Sequence, residues 1–169
     1  MRIVQIRDAT GADMAAVTAI YNALVDTTTV AWTEQCQTLE ERLAWFSRQQ
    51  DAGNPVLVAD DDERVVGFAS YDSFRGEGRW PGYRYTVEHT IHLDRSCWGV
   101  GVGRRLLEAL IERARRAGLH VMVGAIDGEN TASIAFHARL GFVEVARMPE
   151  VGRKFDRWLE LVLMQRILD

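Results

Sequence analysis

The sequence predicts an α/β (α+β) fold: one domain over residues 1–169, with a mixed, twisted β-sheet flanked by helices. Three observations predict it. Segments with a period of two alternate with segments of helical period in the order β-α-α-β-β-β-α-β-α-β-β. A chain of 169 residues, 47% of them hydrophobic, suits one compact unit with a sizeable core. The stretch Val87 to Leu107 runs from a strand through alternating glycines into a helix, and the rest of the chain frames it.

The elements follow in order. Ile3 to Arg7 alternate as a first strand. Thr10-Gly-Ala-Asp13 reads as a capping box before Met14, Val17, Ile20, Tyr21 and Leu24 at helical spacing. A polar loop, Asp26 to Glu34, carries one large ring, Trp32. Thr38-Leu-Glu-Glu41 starts a second helix whose apolar face is predicted to be Leu39, Leu43 and Phe46, stopping near Gly53. Pro55 to Ala59 is a buried strand, and Asp60 to Glu63 turns into Arg64 to Tyr71 as a hairpin. A glycine-rich loop, Asp72 to Gly82, enters the strand Tyr85 to Ile91. The long helix opens at about Val102, carries Leu106, Leu107, Leu110, Ile111 and Ala114 on one side, and stops at Gly118. His120 to Ile126 is a strand, Thr131 to Arg139 a short helix, and Val143 to Ala146 and Trp158 to Met164 close the sheet.

A strand, a glycine turn and a helix start together make an anion site, because glycines let backbone approach a ligand and free N–H groups at a helix start carry partial positive charge. Gly99, Gly101 and Gly103 therefore read as a pyrophosphate cradle beside a catalytic carboxylate, Glu88. Two familiar phosphate loops do not fit. A G-x-G-x-x-G fingerprint from Gly99 would need glycine at Arg104, and one from Gly101 would need it at Leu106. A P-loop would need Gly-Lys-Ser/Thr, and Lys154 is the only lysine in the chain.

Composition excludes other classes. The formal charge of −4 argues against nucleic acid as the main partner. No apolar run approaches the roughly 18 residues of a membrane span, and MRIVQIRDAT has no signal-peptide core. Cys36 and Cys97 make neither a disulfide framework nor a metal spacing, so a reduced cytoplasm is the expected compartment. His89 and His92 are an odd number apart on a strand and have no Cys or acidic cluster beside them; no metal site is expected.

Trp98-Gly99-Val100-Gly101-Val102-Gly103, together with Asn130…Ala135-Phe136-His137-x-x-Leu140-Gly141-Phe142 and the element order, resembles the Gcn5-related N-acetyltransferase (GNAT) family over nearly the full chain. Thr86-Val87-Glu88-His89, Gly118-Leu119-His120, Asn130-x-Ala132-Ser133 and Met148-Pro149-x-Val151-Gly152-x-Lys154-Phe155-x-Arg157-Trp158 narrow the likeness to the phosphinothricin/methionine sulfoximine acetyltransferases, some described as L-amino acid N-acyltransferases. Trp98 stands where the family usually has Gln or Arg, Val100 where many members have lysine, and Asp156 where close relatives usually carry glycine.

The resemblance implies acetyl-CoA as cosubstrate, with no metal. It places the coenzyme at Ile91, His92 and Leu93, at Gly99, Val100, Gly101, Val102, Gly103 and Arg104, and at Asn130. Asn130 could equally be a plain helix N-cap. An amine at neutral pH is mostly ammonium and must lose a proton before it attacks a thioester; the resemblance implies Glu88 as that base. His137, five residues before Phe142, is either the acid for departing coenzyme A or a helix histidine bonded to a neighbour.

The acceptor pocket is expected from Phe74, Arg75, Glu88, His89, Thr90, Lys154 and Phe155, with Trp32 and Tyr83 as further walls. An amino acid's carboxylate suits an arginine fork, Arg75 or else Arg84. The expected partner is a small amino acid or analogue, and the expected assembly a homodimer, as in relatives. Two other readings stand: acetylation of peptide N-termini, and an acyl-CoA sensor without catalysis.

Overall fold

The computed structural model describes residues 4–62, 64–76 and 78–169; Ile3, expected to open the first strand, and Glu63, expected in the hairpin turn, lie outside them. Seven strands and four α-helices follow the expected order. They are β1 (Gln5–Asp8), α1 (Met14–Val25), α2 (Leu39–Asp51), β2 (Val56–Asp61), β3 (Arg64–Ser73), β4 (Thr86–Leu93), α3 (Val102–Arg116), β5 (Val121–Asp127), α4 (Thr131–Arg139), β6 (Val143–Lys154) and β7 (Arg157–Ile167). The sheet order is β1-β2-β3-β4-β5-β7-β6. Neighbours are antiparallel except β4 and β5, which are parallel.

Each face of the sheet has its own core. α3 turns Leu106, Leu107, Leu110, Ile111 and Ala114 onto Leu57, Ala59, Ala69, Val87 and Met122. Burying one such leucine stabilises the fold by roughly 1.5–3 kcal/mol, and this apolar stripe fixes the helix that follows the glycine loop. On the other face α1 and α2 place Met14, Val17, Ile20, Leu24 and Phe46 against Val56, Val58, Val65 and Phe68.

The α2 face departs from expectation. Leu39 and Leu43 are 45% and 40% exposed, while Arg42 is 4% exposed and Phe46 and Gln49 are buried with it. The helix is rotated because its polar residues find partners inside. Gln49 donates to Ser70 Oγ at 2.9 Å, and Arg42 lies over the rings of Tyr21, Trp45 and Phe68. Apolar periodicity cannot foresee a buried guanidinium.

Strands β6 and β7 run well beyond the short segments expected, with register shifts between Glu144/Ala146 and Met148/Gly152. Their hairpin turns at Phe155 and Asp156, with φ of 51° and 56°. Two successive left-handed residues are the geometry of a type I′ turn, and aspartate tolerates it better than most side chains. This explains how Asp156 stands at a position where glycine is usual.

Candidate active site

The central feature is the parting of β4 and β5. Their pairing runs Thr86↔Val121, Val87↔Met122, Glu88↔Val123 and then stops, although β4 continues to Leu93 and β5 to Asp127. β5 stays paired to β7 along its whole length, and β4 stays paired to β3 up to Leu93. A wedge therefore opens in the middle of the sheet just past Glu88.

On its wedge side the backbone of β4 beyond Glu88 has no strand partner, and Leu93 O accepts from the Trp98 indole. Asp94 N–H donates to Val66 O, and Phe74 N–H to Thr86 O, which fixes the alternation: even-numbered residues of β4 bond to β3. The odd-numbered residues, including Ile91 and Leu93, turn their amides and carbonyls toward the wedge. Two of the three strand residues expected to meet the coenzyme through the backbone thus face the right way. His92 does not; its backbone is paired with Phe68, and only its side chain can act in the cleft.

Two cavities meet at the wedge. One, of about 300 Å³, is lined by Val30, Trp32, Glu88, His89, Thr90 and Asp127, among others. The other, of about 510 Å³, is lined by Cys97, Trp98, Gly99, Gly101, Gly103 and Arg104. Ile91, His92, Asn130, Ser133 and His137 border both. Val100 and Val102 are not in the lining of the larger cavity, which uses the three glycines that alternate with them.

The glycine loop has the conformation an anion site needs. Gly99 and Gly101 have φ of 74° and 90°, and nothing lies within 4 Å of where their Cβ atoms would be. Gly101 is the N-cap of α3 and has no side chain to cap it. By contrast, α2 and α4 begin with side-chain caps, from Thr38 and Asn130. The first N–H groups of α3 therefore keep their donors and the positive end of the helix dipole for a ligand. Gly103 is needed for close packing, since a Cβ there would meet Leu93 Cδ1 at 2.9 Å. Trp98 ties the loop to the end of β4 by donating from its indole Nε1 to Leu93 O at 3.2 Å.

Glu88 sits at the last rung before the wedge, with an exposed side chain at the edge of the cleft. Its carboxyl is nevertheless pushed upward, first by the protein crowding it out of water and then by Asp72, its cross-strand partner. A carboxylate so placed takes up a proton more readily than one in open water.

His137 is buried at the wedge. Its Nδ1 lies 2.7 Å from Ser133 O and so carries the proton; its Nε2 then accepts from His89 Nε2 at 3.2 Å. This leaves His89 Nδ1 as a buried acceptor with no partner. Burial depresses both rings, His89 to about 3, and each is neutral at pH 7. The helix-histidine reading thus describes the geometry, and a neutral, already-bonded His137 is a weak acid for a thiolate. Gly124 makes this pair possible, because a Cβ there would stand 3.0 Å from His89 Nε2. Asn130 fits both of its readings: its Oδ1 caps α4 by accepting from Ser133 N–H at 3.1 Å, while its amide NH₂ is left for the cavities it borders.

The remaining acceptor-pocket residues are placed differently from expectation. Lys154 is 2% exposed and gives its three protons to the carbonyls of Val25, Thr28 and Ala31, at 2.7, 2.7 and 2.8 Å. It anchors the α1–α2 loop within its own chain rather than lining a cavity. Phe155 is exposed, and its N–H donates to Glu34 Oε1 at 2.9 Å. Phe74 packs edge-on to Tyr83, and the exposed Arg75 guanidinium lies 5.8 and 5.7 Å from those two rings. Among the described residues, neither cavity's lining includes Phe74, Arg75, Lys154 or Phe155.

Sequence reasoning missed Val30, Ser133 and Asp127. The Asp127 carboxylate accepts from the Thr29 hydroxyl, which joins the loop to the wedge. The signal was available for Ser133, four residues before His137 on one helix face. It was not available for Asp127, which reads as an ordinary turn residue.

No helix among the described residues is long and apolar enough to cross a membrane. Among them, no group of three or more His, Cys, Asp or Glu side chains is arranged to hold a metal ion.

Comparison with known proteins bears on the family and the fold. The model of the acetyltransferase (GNAT) family matches residues 17–142. The L-methionine sulfoximine/L-methionine sulfone acetyltransferase of Salmonella typhimurium is 46% identical over 164 residues, 97% of this chain and 94% of that protein. The L-amino acid N-acyltransferase MnaT of Escherichia coli K12 is 45% identical over 164 residues, with the same two coverages, 97% and 94%. Among solved structures, YncA of Salmonella typhimurium with its cofactor acetyl-CoA superposes with a TM-score of 0.94 at 46% identity, covering 99% of this chain and 95% of that one.

Proposed function

Because this chain belongs to the GNAT acetyltransferase family, we propose that it transfers the acetyl group of acetyl-CoA to the α-amino group of a small amino acid or analogue. Methionine sulfoximine and methionine sulfone are the first acceptors to try, since a relative at 46% identity is named for them; phosphinothricin belongs to the same class. The observation that carries the reading is the wedge between β4 and β5, with Glu88 at its closed end and the uncapped start of α3 at its mouth.

The steps follow from the residues. Coenzyme A supplies the thioester; the bare N–H groups at Gly101 to Gly103 meet its pyrophosphate, and the free amides of Ile91 and Leu93 meet its pantetheine arm as a further strand would. The acceptor enters the smaller cavity beneath Val30 and Trp32. Glu88, its carboxyl raised by crowding, receives the ammonium proton directly or through water. The free amine attacks the thioester carbonyl in a ternary complex, and the thiolate of coenzyme A leaves as the tetrahedral intermediate collapses. The thiolate then takes a proton from water more readily than from His137. For the acceptor's carboxylate we propose Arg75, on the exposed loop that leads into β4 and outside both cavity linings, as the cation that would have to swing in with that loop.

We read the chain as a homodimer as well, because the β6–β7 edge exposes Val143, Val145, Met148, Val151 and Trp158.

Glu88→Gln tests the assignment. It keeps shape and removes the base, so kcat should fall about 10²- to 10⁴-fold at neutral pH while the acetyl-CoA Kd stays unchanged. Turnover within threefold of the parent would take Glu88 out of the role.

A further inference from the structure

Arg42 is the most unusual charge in the molecule. Its guanidinium is buried, and its Nε and Nη2 have no hydrogen-bond partner among the described residues. Three rings hold it instead: Tyr21, Trp45 and Phe68, with centroids 4.7, 4.8 and 5.5 Å away. A buried cation without an acid is costly even when aromatic faces attract it. Folding tolerates it here at the back of the candidate site.

Two of those rings also hold His92. Tyr21 meets the His92 imidazole edge-on at 5.6 Å, and Phe68 meets it at 5.3 Å. His92 borders both cavities, and neither of its ring nitrogens has a hydrogen-bond partner among the described residues. Its orientation is fixed by ring packing, and its polar atoms are left for a ligand. Glu88 borders only the smaller cavity. It lies on the same face of β4, four residues and roughly 13 Å back along the strand. His92 therefore stands where an acceptor in one cavity would meet a thioester in the other, and Glu88, farther back in the smaller cavity, reaches that amine through water.

We propose that the His92 imidazole hydrogen-bonds the acceptor's amine where the two cavities meet, and that Arg42, packed on the same Tyr21 and Phe68 rings behind it, is the positioning residue of this imidazole. This rests on the amine-acetylation reading above. A charged imidazole would repel an incoming ammonium, whereas a neutral one offers a lone pair to its N–H. Burial and the Arg42 charge together bring His92 down to about 4. The other titratable groups around the ring do not replace Arg42. Tyr21 packs from α1; Glu88 and His89 stand on β4 itself; Asp127 on β5 and His137 on α4 line the shared cleft. The two carboxylates would favour a charged ring, the two histidines are neutral, and Arg42 is the cation that opposes it.

The test uses NMR of histidine-labelled protein alongside kinetics. His92→Phe identifies the His92 resonance and should lower kcat/KM for the acceptor at least tenfold, with the acetyl-CoA Kd changed less than twofold. Arg42→Met should raise the His92 titration midpoint by about one to two pH units. It should also add an acid limb to the pH profile of acceptor kcat/KM, which the double variant His92→Phe/Arg42→Met lacks. Arg42→Lys keeps the charge and should restore the parent midpoint, and it serves if the methionine variant does not fold. An unmoved His92 midpoint in Arg42→Met overturns the proposal, as does acceptor kcat/KM within twofold of the parent in His92→Phe. If the parent acetylates no amine at all, it is the proposed function that fails, and the NMR midpoints still report on the Arg42–His92 coupling.

Discussion

Replacing Lys154 with methionine is the sharpest test of how the roof of the smaller cavity is held. Methionine keeps the length of the stem and removes the ammonium. Three carbonyls, those of Val25, Thr28 and Ala31, then lose their donor. Hydrogen bonds to a charged group each contribute about 1.5–3 kcal/mol. Burial of the ammonium, which also lowers its pKa, offsets part of this. Water reaching the freed loop recovers another part. We expect a net loss of about 2–4 kcal/mol, read as a melting temperature lower by roughly 5–15 °C for a chain of this size.

The damage should be local as well as global. Amide hydrogen exchange across residues 26–34 should accelerate, because that loop has lost its anchor. The acceptor KM should rise with the loop that carries Val30 and Trp32, while acetyl-CoA affinity should hold. A melting temperature within 2 °C of the parent, with unchanged exchange in the loop, would refute the anchoring argument.

Two further outcomes follow from the site. Gly101→Ala meets no neighbouring atom but forces an L-residue to φ of 90°. It should cost roughly 1–2 kcal/mol, seen as a weaker acetyl-CoA Kd in calorimetry; unchanged affinity would detach the loop from the pyrophosphate. The His89–His137 pair sets an acid limit on stability. In the unfolded chain His89 binds a proton near pH 6.5, and in the fold only near 3. Stability from keeping it neutral is therefore complete above about pH 6.5 and lost as pH falls toward 3, by several kcal/mol. Urea midpoints at pH 7 and pH 4.5 should show that slope, and His89→Leu should flatten it.

The glycine loop was legible in the sequence because its physics is local: Gly99, Gly101 and the start of α3 are consecutive, and their backbone demands need no distant partner. The order of elements along the chain was legible through periodicity and family likeness. The anchoring by Lys154, read from the sequence as a pocket residue, was not, because the carbonyls it bonds lie more than 120 residues away and no local pattern joins them to it. Arg42 was hidden by the rule that arginine faces water, which Tyr21, Trp45 and Phe68 together override. The roles of His89 and His137 depended on a 3.2 Å contact between β4 and α4 that no spacing encodes.

The strands β4 and β5 behave as a zipper with a stop. Its last closed tooth is Glu88 against Val123, and the first residues beyond are His89 and Gly124, where the imidazole lies against a residue with no side chain. The same few atoms thus decide how far the sheet closes and where the Glu88 carboxylate stands. A change that let the two strands pair for two residues more would seal the slot and bury the acid in one stroke. Carboxylate position and slot width are in this fold one variable, so Glu88 cannot be shifted along its strand without rebuilding the stop beside it.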